Sequence, residues 1–315
     1  MQAPAISTEQ LTKRYSQNTA LDAVSIEVPH GSIGLLGENG AGKSTFIKLA
    51  LGLLKPTSGT ASVLGFSVLR DGLELRRRVG YMPEDDCLPT DMTAFDLVIR
   101  MGRLSGLPKE AAMQRAFDVF NLVGLGEARY RNIGGFSVGM KQRVKLAQAL
   151  VHDPKLVLMD EPTSGLDPEG REEMLELIKD IRSKMDISLL LSTHLLHDVE
   201  QVCDQVIIIR AGQVVSHGAI DDVISEDQRT AVKLVVQVRV VGDRERFIKK
   251  LKADSDVVVE EFETEILVEG EPDEIHQHIL KAAVESDVQL RRMVKKGRSL
   301  EEHFIALHNE QPTDS

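Results

Sequence analysis

The sequence predicts a large α/β domain followed by a small α+β domain, on three observations. A glycine-rich segment, Gly37-Glu38-Asn39-Gly40-Ala41-Gly42-Lys43-Ser44, lies between an apolar run at 32–36 and a helical pattern at 45–54. Two further runs, 156–161 and 187–194, are largely apolar until they end in polar side chains, the habit of parallel strands buried on both faces. Beyond residue 228 short strand and helix patterns follow in the order β-α-β-β-α-β. The 315 residues, 42% of them hydrophobic, suffice for a domain at 1–228 with a helical insertion at about 88–150, and a second at 229–315.

Charge narrows the functional classes. With 38 basic and 49 acidic residues the net charge is −11, which gives no general basis for a nucleic-acid surface or a polybasic membrane tether. No apolar run approaches the roughly 18 residues of a spanning helix. The opening MQAPAISTEQ has neither a basic start nor an apolar core, so no secretory signal is expected and the cytosol is the default. Two cysteines, Cys87 and Cys203, do not make a disulfide framework or a metal cluster, and they receive no role.

In chain order, 5–15 and 21–28 alternate as half-buried strands about a turn at Ser16-Gln17-Asn18. Tyr15 ends the first, and periodicity alone makes it a surface tyrosine. The strand at 32–36 then feeds the glycine-rich segment, which fits the phosphate-binding pattern G-x-x-x-x-G-K-[ST]. Gly40 and Gly42 let successive N–H groups point inward at a triphosphate, and the helix that follows adds its positive end. Lys43 reaches the β- and γ-phosphates as a point charge, while the Ser44 hydroxyl is placed for a bridging Mg²⁺. Short β segments at 56–68, a helical turn at 73–78 and a strand at 79–82 running into Pro83-Glu84 come next. Helical patterns follow at 91–125, with Pro108 opening the second. Ser137 is a good N-cap for the helix carrying VKLAQALV, which makes that helix end a second anion site or simply a capped helix.

The strand 156–161 delivers two carboxylates to its C-terminal end. In a phosphate-loop enzyme Asp160 would hold Mg²⁺ through water and Glu161 would orient and deprotonate the attacking water. A lone histidine is ordinarily structural. His194, however, follows another buried strand at the same edge. Between them, Ser164 to Pro168 forms a turn and 169–183 a long amphipathic helix.

In order and spacing, over residues 5 to about 220, the segments G-E-N-G-A-G-K-S, F-S-V-G-M-K-Q-R, L-V-L-M-D-E-P, S-G-L-D and S-T-H together resemble the nucleotide-binding subunits of ATP-binding-cassette (ABC) transporters. The resemblance implies a P-loop ABC ATPase domain with a RecA-like core, an antiparallel β edge and a helical subdomain. It also implies a head-to-tail dimer that holds each ATP between one copy's phosphate loop and the other copy's Ser137 region. By resemblance Tyr15 stacks on adenine, and Gly37, Asn39, Gly40, Ala41, Gly42, Lys43, Ser44 and Thr45 wrap the phosphates. Asp160 and Ser44 hold Mg²⁺, Glu161 is the general base and His194 contacts the γ-phosphate. Ser137 and Gly139 contact the ATP of the partner, and Asp167 crosses the interface.

Two departures stand out. Glu84 occupies the place where the family usually has glutamine; it still accepts from water and approaches Mg²⁺, so it joins the catalytic and metal candidates. Its extra negative charge beside a polyphosphate implies a sharper metal dependence. The usual Leu-Ser-Gly-Gly-Gln reads Phe136-Ser137-Val138-Gly139-Met140, which keeps the serine and second glycine in a drier setting.

The tail reads as a polar helical link at 219–229, then a ferredoxin-like sandwich of strands 233–241, 257–262, 265–268 and 289–294 and helices 244–253 and 273–284. A capping box at Ser299-Leu300-Glu301-Glu302 opens a last helix with Leu300, Phe304 and Leu307 on one face. This ending resembles the extension of exporter-type subunits, whose permease is a separate polypeptide. The expected function is therefore an ATPase at the cytoplasmic face of a membrane, bound there through a permease and paired with a second copy or a similar subunit. The alternatives are a soluble ABC ATPase, and a scaffold that dimerises on ATP without turnover. Intact Glu161 argues against the scaffold.

Overall fold

The computed structural model describes residues 3–16, 18–223, 234–254, 256–262, 265–271 and 274–295. Two compact units, residues 1–220 and 221–315, make up the chain. The sequence boundary at 228/229 falls in 224–233, outside the described residues.

In the first unit, β1 (Ile6–Tyr15) and β2 (Asn18–Val28) form an antiparallel pair, extended on the β1 side by β4 (Ser58–Val63) and β5 (Phe66–Ser67). β3 (Ser32–Leu36) belongs to a different sheet and is buried along its whole length. α1 (Lys43–Ala50) follows it and sends Phe46 and Ile47 into the core beside Leu35 and Leu158. Each such side chain contributes roughly 1.5–3 kcal/mol on burial. The helix stops at Leu51, short of residue 54, and 51–54 form a turn.

A short α2 (Gly72–Arg76) leads to β6 (Val79–Met82). The helical layer is α3 (Ala94–Leu104), α4 (Lys109–Leu122) and α5 (Val138–Leu150), joined through two 3₁₀ turns. Thr93 caps α3 by accepting from the Asp96 N–H at 3.1 Å, and Ser137 caps α5. Then come β7 (Leu156–Asp160), α6 (Pro168–Met185), β8 (Ser188–Thr193), α7 (Leu196–Val202), β9 (Gln205–Arg210) and β10 (Gln213–Ala219). Ala219, read from sequence as the start of a polar helical link, is instead the end of β10, where it pairs with Gln205.

The central sheet has the order β10-β9-β3-β8-β7-β6, parallel except for β10. Because β3, β8, β7 and β6 are neighbours running the same way, their C-terminal ends meet along one edge. Leu36 is in register with Thr193, Asp160 with Ser192 and Met82 with Met159. Four segments distant in sequence thus emerge together at the edge where open α/β sheets bind ligands.

The second unit is an antiparallel sheet of β11 (Leu234–Val241), β12 (Val257–Glu261), β13 (Ile266–Gly270) and β14 (Gln289–Lys295), ordered β12-β13-β11-β14. Helices Arg244–Lys252 and Ile275–Ser286 bury Phe247, Leu251, Ile275 and Ile279 against Val236, Val238 and Val268. This is the β-α-β-β-α-β succession of a ferredoxin-like sandwich. The capping box at 299–302 and the helix expected after it lie outside the described residues.

Candidate functional site

Glycine is required in the phosphate loop for two separate reasons. Gly40 (φ +86°) and Gly42 (φ +112°) occupy the left-handed region, which L side chains rarely adopt. A Cβ on Gly42 would also stand 2.5 Å from the Ala20 carbonyl oxygen of β2, and one on Gly37 would stand 2.4 Å from that of Ile209 on β9. The loop is therefore clamped from behind by two strands. Over Gly40 the position of a Cβ meets nothing within 4 Å, so its outer face is open. No side chain caps α1, and the first-turn N–H groups at Lys43, Ser44 and Thr45 have no intrahelical acceptor.

Lys43 is 6% exposed and turns its ammonium back over the loop, donating to the carbonyls of Gly37 at 2.6 Å and Glu38 at 3.2 Å. It also lies 3.4 Å from Glu161 Oε1. Glu161 is 5% exposed and has φ +46°, a conformation that costs an L residue about 1–2 kcal/mol. Its N–H donates to the Ser192 carbonyl at 2.9 Å, and its carboxylate faces His194 Nδ1 at 3.0 Å. One carboxylate thus sits between the loop lysine and the histidine of the adjacent strand. Asp160, the last residue of β7 and 2% exposed, accepts from Ser192 Oγ at 2.9 Å.

Lys43 and Glu161 border a cavity of about 500 Å³, whereas Asp160 and His194 are not in its lining and meet it only through Ser192 and Glu161. Of the residues proposed from sequence, Asn39, Gly40, Gly42, Lys43, Ser44 and Thr45 form its floor, and Tyr15, Glu84 and Glu161 its walls. Tyr15 is 43% exposed, with the Lys13 ammonium 5.1 Å from its ring centre. Gly37 and Ala41 support the loop from behind. Ser137, Gly139 and Asp167 are not in this cavity. They line a second one of about 480 Å³ that shares no residue with the first. There Ser137 Oγ accepts from the Met140 N–H at 3.3 Å and Asp167 Oδ1 from the Gly170 N–H at 3.0 Å.

Three side chains that the sequence reading passed over brace these elements. Lys145 on α5, 3% exposed, donates to the carbonyls of Pro83 at 2.8 Å and Glu84 at 2.9 Å. Burial holds its ammonium below the ordinary lysine range, against the pull of Asp85, Asp86 and Glu84. Its signal in the sequence was a charge set among Val144, Leu146 and Ala147, all of which are buried. Asp198 on α7, fully buried, accepts from Thr163 Oγ1 and Arg171 Nε, each at 2.6 Å. Gln142 Nε2 donates to the Ser164 carbonyl at 3.1 Å, joining α5 to the turn before Asp167. Exposed Cys87 and buried Cys203 form no disulfide, and burial pushes the Cys203 thiol well up.

The ABC transporter family model matches residues 21–164. An ABC transporter ATP-binding protein of Bacillus subtilis, YxlF, is 42% identical over 75% of this chain and 78% of its own. The chain belongs to the ABC transporter ATP-binding proteins. It is an ATP-hydrolysing subunit of that family, built on the family's α/β ATPase fold. The bacitracin transport ATP-binding protein BcrA of Bacillus licheniformis is 32% identical over 96% of both chains, second unit included. Among solved structures, the cbiO1 subunit of Clostridium perfringens, part of an ABC transporter complex, superposes with a TM-score of 0.64 at 28% identity, over 72% of this chain and 93% of that one. Among the described residues of this ABC subunit no helix is long and apolar enough to cross a membrane.

Proposed function

We propose that this subunit hydrolyses ATP in a head-to-tail dimer, each ATP enclosed by the phosphate-loop cavity of one copy and the Ser137 cavity of the other, and that this drives a separate membrane permease for outward transport. The observation that carries the reading is the division of the expected site residues between two cavities of one chain. Tyr15 stacks on the adenine and the loop amides receive the phosphates. As phosphate oxygens replace Glu161 and the loop carbonyls around Lys43, the Glu161 carboxylate is freed on that side while His194 still holds it on the other. Glu161 then takes a proton from the attacking water, the water oxygen bonds to the γ-phosphorus, and the bond to ADP breaks. His194 contacts the γ-phosphate. Ser137 and Gly139 of the second copy close over that phosphate, and Asp167 reaches across the interface.

The hydroxyl and carboxylates of Ser44, Asp160 and Glu84 are all oxygen donors, which suits a hard divalent cation. Ser44 would hold Mg²⁺ directly and Asp160, which is outside the cavity lining, through water; bound there, the ion would neutralise charge on the phosphates. The full-length match to a bacitracin transport protein, second unit included, supports work on a transported compound through a permease at the cytoplasmic face of a membrane. Glu161→Gln tests the mechanism: with ATP and Mg²⁺ it is expected to elute as a stable dimer, and a monomer on size exclusion would count against it. A polytopic protein that co-purifies from solubilised membranes and raises ATP turnover is expected; turnover indifferent to any such partner would favour a soluble ATPase.

A further inference from the structure

The loop after β6 carries Glu84 into the nucleotide cavity, and α5 carries Ser137 into the other one. These two pieces of chain are joined more tightly than either role requires. Near the far end of α5 the helix backbone touches β6 directly: a Cβ on Gly80 would stand 2.2 Å from the Ala149 carbonyl oxygen. One turn back, Lys145 donates to the Pro83 and Glu84 carbonyls. One turn further, Lys141 Nζ meets Asp86 Oδ2 at 2.6 Å. Residues four apart share a helix face, so Lys141, Lys145 and Ala149 form one stripe along which β6 and its loop lie.

We propose that the Lys141–Lys145 face of α5 is a clamp that positions Glu84, so that the loop serving this copy's own ATP and the helix end serving the partner's ATP move as one body. Lys145 is the central positioning residue because it is buried. Its ammonium exchanges water for two successive carbonyls, those of Pro83 and Glu84. Any rotation of α5 that brings Ser137 toward a partner therefore carries Glu84 with it. This rests on the composite-site reading above, in which Glu84 and Ser137 serve opposite ATPs.

Lys145→Met keeps the stem and removes the donors. In the full chain without nucleotide, amide exchange over 84–88 is expected to accelerate about tenfold, while 156–160 stays protected. With the permease present, the Mg²⁺ concentration for half-maximal turnover is expected to fall about threefold or more as Glu84 moves away from the phosphates, the direction expected of Glu84→Gln, with the KM for ATP at saturating Mg²⁺ little changed. Unchanged exchange, or faster exchange with an unchanged Mg²⁺ requirement, overturns the proposal. If Lys145→Met does not fold, Asp86→Asn loosens the exposed half of the clamp and should shift both readouts the same way by less; no shift overturns it equally. Should Glu84→Gln itself leave the Mg²⁺ requirement unmoved, the reading of the site fails instead, and the exchange data still report on the clamp.

Discussion

The two cavities have nearly equal volumes and three carboxylates each, and they differ in what stands against those charges. The phosphate-loop cavity is built round a buried cation, left-handed glycine backbone and a carboxylate in a costly conformation. The Ser137 cavity has no lysine or arginine in its lining and includes Asp167, Glu169 and Glu173. A triphosphate would find the Lys43 ammonium and the open helix-end amides in the first, set among Glu38, Glu84 and Glu161, and carboxylates with no basic side chain in the second. What the second offers is a hydroxyl. Ser137 uses its oxygen to accept from Met140 and keeps its O–H to donate. That suits covering a phosphate already neutralised elsewhere, as the proposed head-to-tail dimer requires.

The contrast breaks most sharply at Lys43. Lys43→Met should lower ATP turnover by about 100-fold or more, because the charge that compensates the transferring phosphoryl group is lost; steady-state hydrolysis checks it, and turnover near wild type would put that charge elsewhere. Next is Ser137→Ala, expected to cut turnover about tenfold, on the scale of one lost hydrogen bond to a charged group. ATP affinity of the isolated subunit, read by calorimetry, should barely change, since the partner's site is the one affected. Loss of the α5 cap should also cost about 1 kcal/mol of stability. Glu84→Gln sharpens the comparison from the metal side. Removing a negative charge at the phosphate end should relax the Mg²⁺ requirement by a few-fold, roughly one unit of charge at effective protein dielectric, as read from turnover against free Mg²⁺.

The smallest effect lies outside both cavities and serves as a control. His152, just past α5, is half-buried with Nε2 at 3.2 Å from the Val79 carbonyl, to which it donates. Burial holds its pKa below the ordinary value of about 6.5. The unfolded chain therefore binds a proton near that pH before the folded chain does. Its contribution is fully present above about pH 6.5 and is lost as pH falls toward the lower folded value. His152→Gln should flatten the acid side of the stability profile by less than about 1 kcal/mol, measured by denaturant melts from pH 7.5 to 5. A change in nucleotide affinity in the same variant would show that the cavities are not insulated from this joint.

Legibility in the sequence followed the length scale of each interaction. The phosphate loop, the two carboxylates at the end of β7 and the histidine after β8 are short contiguous signals at strand ends, and the shared direction of the strands brings Lys43, Glu161 and His194 together. Ser137 was readable as a cap from its own helix. Lys145 and Asp198 were not, because their partners lie some 60 and 30 residues away and only the packing selects them. Periodicity likewise gave no reading of α7 or of the hairpin that closes the sheet. Seven residues make a short helix, and four apolar residues at Val206 to Ile209 suit a helix or a strand equally until Val214 and Ser216 pair beside them.

Asp198 has an evolutionary consequence. Its two oxygens are committed to two different segments, Thr163 in the turn that leads to Asp167 and Arg171 in α6, while its own helix starts two residues after His194. Replacing any one of the three partners strands a buried charge or a buried donor, which is far more destabilising than losing the whole set. The trio is therefore accessible to change only by coordinated substitution. A lineage that drifts freely at the solvent-facing positions of α7 would keep this junction between the strand end at His194 and the turn at Asp167 nearly frozen.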